Sequence, residues 1–107
     1  MKKLVIKIIK IRGKCPVFKV GDKITIEGPK INLEETNAIC THAFASFLPY
    51  IVALRKGVKP SEIGLGSGEK AYVQCLDPGP PYTEGGTVIF EMMVIENETE
   101  KSMESSK

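Results

Sequence analysis

The chain has 107 residues, 42% of them apolar and 26% charged, the size and composition of one globular domain near the point where a single core becomes adequate without staples. A net charge of +2 is too small to imply a nucleic-acid partner, and lysines interrupt the N-terminal apolar run before it reaches signal length. Three cysteines, an odd number with no export signal, fit thiols in a reducing cytoplasm rather than a disulfide framework, so the expected location is cytoplasmic.

Residues 3 to 11, rich in Ile and Val with lysine at intervals, predict a first strand whose two faces are both partly covered. Val17 to Val20 and Lys23 to Glu27 predict further extended chain around a turn at Gly21-Asp22, with Gly28-Pro29 as the stop. Asn32 stands three residues before Glu35 at the spacing of a capping box, which predicts a helix starting near Leu33. Arg55, Lys56 and Gly57 mark its end, and Pro49 predicts a kink or a break inside it.

From Ala38 to Leu54 this helix is apolar on nearly all sides. Cys40, Ala43, Phe47, Ile51 and Leu54 form one stripe, while Phe44, Leu48, Tyr50 and Val52 lie outside it. With Thr41, His42, Ser46 and Pro49 included, the segment falls short of a membrane span, so the second apolar face predicts a homo-oligomer. Lys59-Pro60-Ser61-Glu62 reads as a short helical turn and 64–68 as a glycine-rich crossing. That crossing has neither the spacing nor the lysine of a phosphate loop.

Ala71 to Leu76 and Thr87 to Ile95 complete a β-β-α-β-β order. The fold class is α+β, a mainly antiparallel sheet packed on one central Pro-kinked helix over 1–96, with a disordered polar tail over 97–107. Residues 1 to 23 hold eight Lys or Arg against Asp22, and residues 84 to 107 hold six Glu against two Lys. This segregation predicts that the two ends of the domain lie side by side.

The last two strands are joined by Cys75-Leu76-Asp77-Pro78-Gly79-Pro80-Pro81-Tyr82-Thr83-Glu84-Gly85-Gly86, a connection stiffened by three prolines and three glycines. It presents Asp77, Tyr82, Thr83 and Glu84 as candidate ligand-binding residues, although Asp before Pro is also a common turn opener. Cys15, Cys40, His42 and Cys75 are all the cysteines and the only histidine. Their donor chemistry suits zinc or an iron centre.

The plainer reading of those four residues is preferred, because no Cys-x-x-Cys pair exists and Cys40 and His42 would point to opposite sides of a helix. Under it, Cys40 is a small core residue, Cys75 ends a strand, Cys15 precedes a proline and His42 is a hydrogen-bonded interface residue. Nothing adjacent in sequence activates Cys75 as a nucleophile, so whether the chain is an enzyme stays open.

The segments Cys15-Pro16-Val17-Phe18-Lys19-Val20-Gly21-Asp22-Lys23-Ile24, Cys40-Thr41-His42-Ala43 and 75–88 resemble those of a family of small uncharacterised prokaryotic proteins. The resemblance spans residues 4 to 95 and implies a complete stand-alone prokaryotic domain; it transfers no activity. The expected function is binding of a small ligand or metal near the 75–86 loop. The alternatives are a cysteine-based redox protein or enzyme using Cys75, Cys15 or Cys40 with His42 and Asp77, and a non-catalytic structural or interaction homodimer.

Overall fold

The computed structural model describes residues 2–96. Its strands are β1 (Lys2–Gly13), β2 (Lys23–Glu27), β3 (Lys30–Ile31), β4 (Ala71–Gln74) and β5 (Gly86–Glu96), and its one α-helix among the described residues, α1, is Thr41–Arg55. They form a single antiparallel sheet in the order β3-β2-β1-β5-β4 with α1 on one face, an α+β domain as the sequence predicts. The two-residue β3 is the one strand not anticipated. The polar tail expected over 97–107 lies outside the described residues.

β1 pairs with β5 from Lys2↔Glu96 to Gly13↔Gly86, so the basic and acidic ends do lie side by side. Lys3 and Glu91 nevertheless pair elsewhere. Lys7 stands opposite Glu91, but Glu91 is 3.7 Å from Lys70, and Lys3 lies 3.0 Å from Glu35 and 3.6 Å from Glu27.

The run Ile8-Ile9-Lys10-Ile11 would put Lys10 inward under strict alternation. Instead the register shifts between Ile8↔Phe90 and Lys10↔Ile89, leaving Ile9 as an extra residue. The bulge returns Ile11 to the phase of Leu4, Ile6 and Ile8, which explains why apolar residues occupy both parities of this strand. Leu4, Ile6, Ile8, Val88, Phe90 and Met92 are buried against Ala43, Phe47, Ile51 and Leu54 of α1. Phe47 and Phe18 both meet Phe90 edge-on, at centroid distances of 5.3 and 5.7 Å.

Between β1 and β2 the expected turn at Gly21-Asp22 is present, with Gly21 N–H bonded to Ile8 O and Ile8 N–H to Asp22 O, both at 2.9 Å. Val17 to Val20 is not a strand. It is irregular chain held by a turn in which Cys15 Sγ accepts the Phe18 N–H at 3.3 Å and Asp22 accepts the Lys19 N–H at 3.0 Å.

The helix starts later than its sequence predicts. Asn32 does cap a helical start, its side chain accepting the Glu35 N–H, but the capped segment is a single 3-10 turn, Leu33–Glu35. The chain then runs extended, because its polar groups are drawn to β2. The Thr25 hydroxyl donates to Glu35 O at 2.7 Å, Thr36 Oγ1 accepts the Thr25 N–H at 3.1 Å, and Asn37 exchanges two bonds with Lys23, each 2.9 Å. α1 begins only at Thr41, with Cys40 as its extended N-cap, and it runs through Pro49 without the break allowed for there. A second 3-10 turn, Pro60–Ile63, matches the helical turn expected after α1.

Candidate functional site

The loop between β4 and β5 is fastened at its base by Cys75. Its N–H bonds Val88 O at 3.0 Å, its sulfur accepts the Val88 N–H at 3.2 Å, and the thiol faces Gly86 O at 3.5 Å and Asp77 O at 3.8 Å. Cys75 is thus a buried brace between the two ends of the loop. Asp77 organises the next turn: its Oδ1 accepts the Gly79 N–H at 2.9 Å and the Thr83 hydroxyl, while its carbonyl accepts the Thr87 hydroxyl at 2.8 Å. The Arg12 guanidinium closes the loop on β1 by donating to Pro78 O at 2.7 Å.

Two of the loop glycines are there for close approach. A Cβ on Gly86 would lie 2.7 Å from Arg12 O and 2.8 Å from Lys14 N, and one on Gly85 would run into the Asp77 carboxylate. Gly79 has φ +75° and packs on Thr87. The peptide bond between Pro80 and Pro81 is cis.

This loop base, the chain from Cys15 to Phe18 and the first turn of α1 enclose a cavity of about 290 Å³. Every cysteine of the chain, its only histidine and Asp77 line it, although their positions run from 15 to 77 of the sequence. The objection that Cys40 and His42 must diverge assumed a helix through both. Because Cys40 is an extended N-cap and α1 starts one residue later, both reach the same wall. Most of the remaining lining is apolar, including Val17, Phe18 and Val88.

The Thr83 hydroxyl bond holds the Asp77 carboxyl below the usual carboxylate range. The Gly79 N–H adds to this, burial opposes it, and the nearby His42 acts in the same direction as the hydrogen bonds. His42 is itself exposed at the rim.

No family model, curated protein or solved structure matches this chain.

Of the ligand-binding candidates, the structure brings only Asp77 into the cavity. Thr83 stands behind it as a hydrogen-bond donor, whereas Tyr82, 81% exposed, and Glu84 lie on the outer surface and do not line the cavity. The proposed metal set, Cys15, Cys40, His42 and Cys75, shares the cavity wall. Among the described residues, however, no three His, Cys, Asp or Glu side chains stand closely enough to hold a metal ion. Sequence reasoning missed Val17 and Phe18 as cavity wall and Arg12 as a loop clamp; the motif around Cys15 was visible, but not its position opposite Cys75.

A wider cleft of about 610 Å³ lies at the other end of α1, between Arg55, Lys59, Glu69 and Met92. It contains none of the cysteines or the histidine. No described helix is long and apolar enough to cross a membrane.

Proposed function

We propose that this domain is a cytoplasmic small-ligand-binding protein whose ligand occupies the thiol-lined cavity between the Cys15 turn, the start of α1 and the base of the 75–86 loop. The observation that carries this reading is convergence: the chemically distinctive side chains of three separate segments wall one cavity of about 290 Å³. That volume is at the small end of the range for ligand pockets, and the combination of apolar wall with a few polar groups is what such pockets use to orient a molecule. A small organic ligand is favoured over zinc or iron, because the donors are not drawn together into an ion site.

The test is native mass spectrometry of the untagged full chain purified without oxygen, with elemental analysis of the same sample. The expected result is a bound organic mass that is lost from Val17→Trp, which fills the cavity, and kept by Tyr82→Ala, which lies outside it. Stoichiometric zinc or iron with protected thiols would replace the organic ligand by a metal. A ligand retained by Val17→Trp would move the site elsewhere.

A second reading concerns partners. Leu48 and Val52, 51% and 56% exposed, lie with Ala45 and Pro49 on the outer side of α1 and support a homodimer through that face, whereas Phe44 and Tyr50, expected to belong to it, are half-buried against the core.

A further inference from the structure

The face of the sheet turned away from α1 has a charge pattern of its own. Leu4, Ile6, Ile8 and, past the bulge at Ile9, Ile11 pack toward the core, so Lys7, Lys10 and Arg12 emerge on the opposite face of β1. Lys7 stands directly opposite Lys23 of β2, a like-charge cross-strand pair that destabilises a sheet. Lys7, Lys10, Arg12 and Lys23 are exposed, and among the described residues none of the four makes an ion pair: Glu27 lies against Lys3, and Glu91 lies 3.7 Å from Lys70. The net charge of +2 conceals this row of cations, because most acidic residues lie outside the strands. Across β5 and β4 the same face changes character. Lys10 is opposite Ile89 and Ile89 is opposite Gln74, and with Arg12 and Thr87 they line a depression of about 160 Å³. One row along, Tyr72 is opposite Glu91 and its hydroxyl donates to that carboxylate at 3.4 Å, so the ring lies across the sheet toward β5 while 42% exposed.

From these two halves we infer that this face binds single-stranded nucleic acid, its phosphates along β1 and its bases over β5 and β4. Outward positions on a strand are about 7 Å apart, so Lys7, Lys10 and Arg12 form a line of cations suited to a chain of phosphates rather than to one small anion. Phosphates there also relieve the repulsion between Lys7 and Lys23. An unpaired base has a flat face for the Tyr72 ring and polar edges for the Gln74 amide, and Ile89 between them supplies apolar contact. Acidic side chains of a protein partner would answer the cations and leave the ring and the amide unused. A duplex keeps its base faces stacked inside, out of reach of the ring.

The experiment is fluorescence anisotropy of the full-length reduced protein with four labelled probes of about twenty units each: oligo-dT, oligo-U, a DNA duplex and a polyglutamate peptide. The single strands are expected to bind most tightly, with log Kd against log salt concentration rising with a slope of up to about 3, since four phosphate contacts contribute about 0.7 each. Replacing Lys7 and Lys10 together by Ala should lower that slope by about 1.4. Tyr72→Ala should weaken single-strand binding by about tenfold and leave the slope unchanged, which separates stacking from charge. A duplex bound as tightly as oligo-dT, with Tyr72→Ala without effect, overturns the single-strand assignment. Preference for polyglutamate overturns it in favour of an acidic protein partner, and no binding of any probe at low salt overturns the face as a polyanion site. The ranking of the four probes on the unsubstituted chain decides among these results even where a variant fails to fold.

Discussion

Asp77 shows how one side chain serves two levels of organisation. Its carboxylate ties Gly79 and Thr83 into the turn after β4, and its position on the cavity wall beside His42 makes it part of the candidate site. Because its folded value is depressed, its contribution to stability is fully present above the ordinary carboxylate value, about 3.9, and is lost as pH falls through the lower folded value. Asp77→Asn keeps an oxygen for both donors but removes the charge. Denaturant unfolding of this variant is expected to show a shallower loss of stability on the acid side than the parent chain; identical acid limbs would mean that the carboxylate is not held as described. The turn-forming role of Asp before Pro was legible in the local sequence, since an Asx turn is made within a few residues. The neighbourhood of His42, thirty-five positions away, was not.

At the scale of the element, α1 carries the main difference between expectation and structure. Its apolar stripe was legible: Ala43, Phe47, Ile51 and Leu54 are the residues it buries. Its start was not, because Asn32 and Glu35 form a true cap that nucleates only a 3-10 turn before Thr36 and Asn37 are captured by β2. Local capping signals report that a turn begins; they carry no information about a strand that competes for the next carbonyl and N–H groups. Pro49 is tolerated within α1 on its exposed side, where the Ala45 carbonyl that it leaves without a helical donor belongs to another exposed residue. Pro49→Ala restores that donor and is expected to stabilise the domain by up to about 3 kcal/mol, read from the denaturant midpoint. A lower midpoint would show that the proline ring is itself needed in this helix.

For the whole molecule, the sheet order puts the longest strands, β1 and β5, next to one another at the centre and places the Cys15 turn and the 75–86 loop at the same end of the sheet. That end also receives the start of α1, and the cavity is the space among the three. The opposite side of α1 faces outward with Leu48 and Val52 exposed. If a second copy covers it, sedimentation velocity will show a size that rises with concentration, and Leu48→Glu will reduce it to that of a monomer. A size independent of both concentration and substitution sinks the dimer.

The sequence by itself determined the α+β class, most of the strand and helix segments, the inward stripe of α1, the pairing of a basic first strand with an acidic last one, and the stiffness of the 75–86 loop. These arise from periodicity, turn chemistry and charge, which act over short stretches or along one element. Only the tertiary structure decided that Cys15, Cys40, His42, Cys75 and Asp77 share one cavity, that Tyr82 and Glu84 do not, and that Cys40 ends an extended segment instead of lying within a helix. Their meeting depends on strand order and on where β2 releases the chain into α1, and both are set by contacts between residues far apart in sequence.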